Sequence, residues 1–275
     1  MKFIELANKL DAIGVEEPKN EAYLILEYLF GARKQDVILD REKEYDDKAI
    51  ETILREREKH TPIQYIFHKW SFMGEDFYVD ENCLIPRPDT EILVYEAEKR
   101  IGKDIQLLDA CTGSGCVGLS LLKRNKDIKS ATLLDISDKA LSIAEKNAEN
   151  LGVTNRAKFV LCDITKDFPS EQYDMILSNP PYIPTEDIDA LSEEVKKEPL
   201  ISLDGGIDGM AIIKCILNCS SAHLKSHGFL IMEFGYDQKE KITDLIEKHI
   251  SEGKYSKYSI VYDYSKNSRV AVIEK

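Results

Sequence analysis

The sequence predicts an α/β fold: a mostly parallel sheet with helices on both faces, preceded by a small helical bundle and a β-hairpin. Three observations predict it. From Ile105 onward, short apolar runs alternate with helical stretches, which implies parallel strands joined by helical crossovers. Residues 1 to about 60 carry helical periodicity only. Between the two, aromatic and β-branched residues flank Met73-Gly74-Glu75-Asp76, a hairpin-type turn. The expected division is therefore 1–62 for the bundle, 63–84 for the connector and 85–275 for the sheet domain.

In the bundle, Phe3, Leu6, Ala7 and Leu10 recur at helical spacing, and Ala22 to Phe30 form a strongly apolar second helix that stops at Gly31. A third helix is expected over Gln35–Leu39. A fourth, Asp47–His60, has Ile50, Ile53 and Leu54 on one face and charges on the other. Thr61-Pro62 ends the pattern, and Tyr65–Val79 reads as the hairpin connector. Asn82-Cys83-Leu84-Ile85-Pro86-Arg87-Pro88 is extended and proline-stiffened, after which Asp89 or Thr90 caps a helix through Arg100.

The sheet domain is expected to contain strands at Ile105–Cys111, Ala131–Ile136, Lys158–Cys162, Met175–Ser178 and Phe229–Phe234, with helices at Cys116–Asn125, Lys139–Leu151, Met210–Lys225 and Gln238–Ile250. Two last strands, Ser259–Tyr264 and Arg269–Ile273, are joined by the short turn Ser265-Lys266-Asn267-Ser268, so one of them is expected to run antiparallel.

The chain has 275 residues and a formal net charge of −13, a balance unsuited to holding bulk duplex nucleic acid by phosphate neutralisation. The first nine residues carry charges where a secretory signal needs an apolar core, and no run approaches the ~20 apolar residues of a bilayer span. A cytoplasmic location and no membrane contact are expected. The six cysteines form no C-x-x-C pair. Cys215 and Cys219 lie four apart on an expected helix, but no histidine stands at matching spacing, so reduced thiols and no metal are expected.

Two strings carry chemistry. In the first, the strand ending at Asp109 runs into Ala110-Cys111-Thr112-Gly113-Ser114-Gly115, and a helix follows. Gly113, Gly115 and Gly118 satisfy G-x-G-x-x-G, and Asp135 ends the next strand twenty residues after Gly115. That is the arrangement of a nucleotide-type cofactor site, with the acid on the ribose hydroxyls. Asp109 stands just before the turn, where a carboxylate suits the ammonium of a methionine moiety and is out of place beside a pyrophosphate. Asp163 ends the third strand, placed for an adenine amino group, with Ile164 to pack on the ring. Cys111, Thr112, Ser114 and Asn179 complete the expected cofactor wall. These features favour S-adenosylmethionine over a nicotinamide dinucleotide.

The second string is Ser178-Asn179-Pro180-Pro181-Tyr182, at the end of an apolar strand. Asn179 offers a carbonyl acceptor, and the prolines remove backbone donors and hold the chain extended. The Asn179 side chain and the Pro180 carbonyl can accept from a planar NH2 group. Tyr182 supplies an aromatic face for it, and Pro181 completes the substrate wall. No group in the tetrad is a strong base, so its contribution is positional and electrostatic.

These strings occur in the order of a class I, Rossmann-like methyltransferase acting on a planar nitrogen. Further segments make the likeness narrower: Pro62-Ile63-Gln64-Tyr65-Ile66, Gly74-Glu75-Asp76-Phe77-Tyr78-Val79, Leu84-Ile85-Pro86-Arg87-Pro88-Asp89-Thr90-Glu91, Glu198-Pro199, Gly205-Gly206-Ile207-Asp208-Gly209 and Glu233-Phe234-Gly235-Tyr236-Asp237-Gln238. Over nearly its whole length the chain resembles the peptide chain release factor glutamine methyltransferases. It departs from their pattern at Cys111, where that family has glycine.

The resemblance implies a seven-stranded sheet domain with S-adenosylmethionine as methyl donor and S-adenosylhomocysteine as product. It implies methyl transfer to the side-chain nitrogen (N5) of the glutamine in the Gly-Gly-Gln motif of bacterial class I release factors, in support of translation termination. The bundle would dock the release factor, Arg87 and Thr90 would help close the pocket, and the protein would act as a monomer without touching nucleic acid. An adenine-N6 or guanine methyltransferase would use the same tetrad on a base, but this chain has no cluster of Lys and Arg to hold one. A dehydrogenase leaves the tetrad idle, and a non-catalytic binding module leaves both strings idle.

Overall fold

A computed structural model describes residues 1–275. The chain divides into two compact units, residues 1–68 with 192–197, and residues 69–191 with 198–275.

The first unit contains α1 (Phe3–Ala12), α2 (Pro18–Phe30), α3 (Lys34–Leu39), α4 (Asp47–Arg57) and α5 (Ile63–Phe67). Local chemistry sets the ends. Pro18 starts α2, where its missing N–H costs nothing, and Gly31 ends it at φ 63°. Asp46 caps α4 by accepting from the Lys48 amide. The apolar stripes meet in a core built on Leu6, Leu10, Ile25, Leu26, Val37 and Ile50. Inside this unit the buried Arg57 guanidinium donates to Glu21 Oε1 at 2.6 Å and to Glu194 Oε1 at 2.5 Å, so segment 192–197 is fastened here.

One expectation is corrected at this point. The expected connector begins at residue 63, but Ile63–Phe67 forms the helical turn α5. Pro62 sits at the N-cap with its carbonyl accepting from the Ile66 amide, and the turn ends at His68 in the left-handed region. Aromatic and β-branched residues are compatible with one helical turn when packing favours it, and Ile63, Ile66 and Phe67 pack on the bundle core.

The second unit opens with a hairpin, β1 (Trp70–Phe72) and β2 (Glu75–Phe77), whose two turn residues Met73 and Gly74 have φ of 53° and 80°. Phe72 and Phe77 are buried in the core of this unit. Then follow α6 (Glu91–Glu98), β3 (Ile105–Ala110), α7 (Cys116–Arg124), β4 (Ile128–Asp135), α8 (Asp138–Leu151), β5 (Ala157–Leu161), β6 (Tyr173–Ser178), α9 (Ala211–His223), β7 (Leu224–Glu233), α10 (Lys239–Ser251), β8 (Lys257–Tyr262) and β9 (Ser268–Glu274).

The seven strands lie in the order β5-β4-β3-β6-β7-β9-β8. All run parallel except β9, which pairs antiparallel with both β7 and β8. Residues from α6, α7 and α8 pack on one face of the sheet, and residues from α9 and α10 on the other. Burial on both faces explains the uninterrupted apolar runs of β3 and β6.

The strand order reverses between β3 and β6, because β4 and β5 lie on one side of β3 and the later strands on the other. A crevice forms beyond the carboxyl ends of strands at such a switch point. Ala110 pairs with Leu134 on one side and Ser178 on the other, and Ser178 pairs in turn with Met232. This register brings Cys111, Asp135, Asn179 and Glu233 to the same level, each one residue beyond the paired row.

Candidate active site

The glycine loop is built from β3 outward. Asp109 is buried and its Oδ2 accepts from the Thr112 hydroxyl at 2.6 Å and the Gly118 amide at 2.9 Å. Gly118 lets the backbone approach closely, since a Cβ there would stand 3.0 Å from that same oxygen and press the carboxyl aside. Burial pushes the Asp109 carboxyl up to about 6 against the pull of these two donors. The oxygen expected to meet a methionine ammonium is thus also the one that shapes the loop.

Asp135 Oδ2 accepts from the Gly113 amide at 2.9 Å and Oδ1 from the Ser137 amide at 3.0 Å. Burial raises its pKa despite these amides. Asp163 accepts from the Thr165 amide at 3.0 Å and hydroxyl at 2.6 Å, and pairs with Lys166 at 2.8 Å. Lys166 first and Thr165 second hold its carboxyl down to about 2. It therefore organises its own turn as well as facing the cavity described below.

Cys111 takes φ 59°, a left-handed conformation that a side chain adopts at a cost and glycine does not. Its side chain is half-buried at the wall of the crevice, and desolvation followed by the nearby Asp135 charge pushes its thiol pKa far up.

A cavity of about 260 Å³ opens at the switch point. Asp135, Ile136, Asp163 and Ile164 wall it on the side of β4 and β5, and Pro199, Ile201 and Asp204 wall it opposite. A smaller cavity, lined by Arg87, Thr90, Asp109, Thr112 and Ser114, shares Leu84, Cys111, Gly113 and Asn179 with it.

The segment that closes both is held at two points. Asn147 accepts from the Tyr78 amide at 2.7 Å and donates to the carbonyls of Tyr78 and Ser114, tying the segment's start to the glycine loop. Further along, the buried Glu198 accepts from the Ile85 amide at 3.0 Å and pairs with Arg87.

In the tetrad, the Asn179 amide Nδ2 donates to the Thr90 hydroxyl at 3.1 Å. Its Oδ1 is buried with no partner. Thr90 was expected as a possible helix cap. It makes no capping bond, since it lies in helical conformation within the turn that runs into α6, and its hydroxyl accepts from Asn179.

Pro181 lines the larger cavity, whereas Pro180 is buried and lines neither. Tyr182 also lines neither. Its ring packs on the core of the α9–α10 face, and its hydroxyl donates to Glu233 Oε1 at 3.3 Å. The stacking face expected of Tyr182 is thus turned onto protein, and burial followed by the Glu233 charge drives its hydroxyl pKa well up.

Gln238 donates to the Tyr182 carbonyl at 2.8 Å, and Gly209 lies so close that a Cβ would stand 2.3 Å from that carbonyl oxygen. Glu198, Glu233, Gln238 and Gly209 all stand in the family-like strings, but their sequence gave no role. Each acts on a residue far away in the chain.

The cofactor fits these residues. Asn179 Oδ1 and Ser114 Oγ are buried polar atoms without a protein partner, and Asn179 walls both cavities while Ser114 walls the smaller. Acids stand at the ends of β3 and β4 and just beyond β5, beside an apolar slot formed by Ile136 and Ile164. A strand–glycine loop–helix at a switch point, with this tetrad on the neighbouring strand, defines a class I methyltransferase that uses S-adenosylmethionine.

Comparison with known proteins narrows the class. The Methyltransferase small domain family matches residues 88–198, and the PrmC N-terminal domain family matches residues 3–67. The release factor glutamine methyltransferase of Aquifex aeolicus is 32% identical over 100% of this chain and 96% of its own length. That of Caulobacter vibrioides is 34% identical over 86% of this chain and 84% of its own. The chain belongs to the release factor glutamine methyltransferase family. Among solved structures, a methyltransferase from Pyrococcus furiosus aligns over 84% of this chain and 98% of its own with a TM-score of 0.54 at 16% identity, a likeness of fold.

Proposed function

We propose that this enzyme methylates the side-chain nitrogen (N5) of the glutamine in the Gly-Gly-Gln motif of bacterial class I release factors. The observation that carries the reading is Asn179: its NH2 is fixed on Thr90, which leaves a buried acceptor, Oδ1, without a protein partner at the wall of both cavities. A buried acceptor without a donor costs free energy, and a substrate NH2 relieves that cost.

When bound, S-adenosylmethionine supplies an electrophilic methyl group on a sulfonium. Asp135 would receive the ribose hydroxyls, Asp163 and Ile164 the adenine, and Asp109 with Cys111, Thr112, Gly113, Ser114 and Gly115 the methionine end. An amide nitrogen is a weak nucleophile because its lone pair is delocalised. Asn179 Oδ1, which walls both cavities, compensates by accepting from one of its N–H groups, which holds it in line and favours the positive charge that develops on it, while Pro180, buried behind that wall, keeps the chain extended. Tyr182 and Pro181 keep that wall rigid. The nitrogen's proton leaves to water after transfer.

The helical unit, residues 1–62 together with the 192–197 segment, docks the release factor. The protein works as a cytoplasmic monomer, and its charge of −13 disfavours holding bulk duplex nucleic acid by phosphate neutralisation. No helix is long and apolar enough to cross a membrane.

The test is transfer of a labelled methyl group to an intact release factor, compared with the same factor carrying alanine in place of the motif glutamine. Label on the first and not the second supports the reading. Equal label on both sinks it.

A further inference from the structure

Glu233 ends β7 one residue beyond Met232, the partner of Ser178, so it stands beside Asn179 at the crevice. It is buried, and it is the carboxylate on which both ends of the tetrad converge. Tyr182 donates to Oε1 directly. Asn179 reaches it through Thr90, whose hydroxyl stabilises the charged form of the carboxyl. Glu233 Oε2 is a buried acceptor with no hydrogen bond of its own, and two further donors act on the carboxyl, the Thr90 hydroxyl and the guanidinium of Arg269, whose buried Nε is itself without a partner.

We infer that Glu233 is a positioning residue that sets the direction of the Asn179 amide. The inference rests on the reading of Asn179 as acceptor for the substrate NH2. A hydroxyl has one proton. While Glu233 is a carboxylate it can only accept, so Thr90 gives that proton to it and presents a lone pair to Asn179. The Asn179 NH2 then faces Thr90, and Oδ1 is left for the substrate.

If Glu233 carries a proton or an amide, it can donate to Thr90. Thr90 is then free to donate to Asn179 Oδ1, and the amide turns over. Its NH2 would confront the substrate NH2, donor against donor.

The groups facing Glu233 come from four places. Arg269 on β9 and the hydroxyls of Thr90 and Tyr182 favour the carboxylate, while Asp89 before α6 opposes it. The thiol of Cys116 on α7 is close enough to feel its charge. Burial is the largest influence and lifts its carboxyl to about 7. The lock is therefore set as pH rises through that value and released as pH falls below it.

Glu233→Gln, Thr90→Val and Thr90→Ser separate this from a packing role. Expected is a fall in kcat of about 10²-fold in E233Q and T90V, the scale of a misplaced reacting group, with S-adenosylmethionine affinity by calorimetry unchanged in E233Q, whose side chain lines neither cavity. T90S, which keeps the hydroxyl, recovers most of the turnover lost in T90V. The unaltered enzyme gains kcat as pH rises through about 7, and E233Q lacks that limb. Unchanged kcat in E233Q, or an E233Q profile that keeps the limb, overturns the proposal.

A measurement without substrate keeps the two readings distinguishable. The Asn179 side-chain amide resonance in nitrogen-15 NMR is expected to titrate with Glu233 and to shift in E233Q. An Asn179 resonance that is the same in both proteins at every pH overturns the lock, even if release factors prove not to be the substrate.

Discussion

The side-chain amide of Asn179 donates to the hydroxyl of Thr90 at 3.1 Å, across 89 residues of sequence. This bond joins the tetrad to the segment that closes the cavities, and it leaves Oδ1 as the end of the Asn179 amide without a protein partner.

Asn179→Ala removes the acceptor and leaves the acids and the glycine loop intact. Turnover is expected to fall by about 10²- to 10³-fold, the range for losing one preorganised group in a transition state. Cofactor affinity by calorimetry should change little. Full activity in this variant would contradict the role given to Asn179.

Position 111 tests the loop. At φ 59°, Cys111 is strained, and a β-branched residue is worse. Cys111→Gly is expected to keep cofactor binding, and Cys111→Val to cost about 1–2 kcal/mol more than the glycine variant in denaturant unfolding. Equal stability of the two variants would show that the backbone relaxes there.

Much of this site was legible as local strings. The glycine loop, Asp135, Asp163 and the tetrad each follow a strand whose apolar run marks where it ends, and the structure brings them to one crevice. The seven strands were readable for the same reason, since burial on both faces leaves long apolar runs. The α5 turn was not. Its residues suit a strand, and only packing on Ile63, Ile66 and Phe67 makes it helical.

The supports of the site were not readable either. The role of Glu233 depends on the register of β6 against β7, and that of Glu198 on a contact with Ile85 and Arg87 more than 100 residues away (|i−j| of 113 and 111). No local pattern encodes either relationship. Tyr182 shows the converse error: an aromatic beside a pocket suggests stacking, while its hydroxyl is committed to Glu233.

Arg87→Ala tests the closing segment. Glu198 is buried and loses its guanidinium partner, while its bond from the Ile85 amide remains. Breaking such a pair is expected to cost about 1–3 kcal/mol of stability and to weaken cofactor binding, because Leu84, Pro86 and Arg87 wall the smaller cavity. Unchanged affinity would show that the segment closes without this pair.

Asp109 gives a pH prediction. Its folded-state carboxyl stands at about 6 against an ordinary 3.8, so the native state holds this proton more tightly than the unfolded state. The stability it contributes is complete below pH 3.8 and is lost as pH rises through about 6, a span worth about 3 kcal/mol. Asp109→Asn should flatten unfolding free energy against pH over that window, relative to the unaltered protein without cofactor. Identical slopes would place the proton elsewhere.

The most direct measurement is tandem mass spectrometry of the Gly-Gly-Gln peptide of a release factor after incubation with this enzyme and S-adenosylmethionine. The predicted result is a gain of one methyl group, localised to the glutamine side-chain nitrogen. An unmodified glutamine, with cofactor binding demonstrated on the same preparation, would contradict the account.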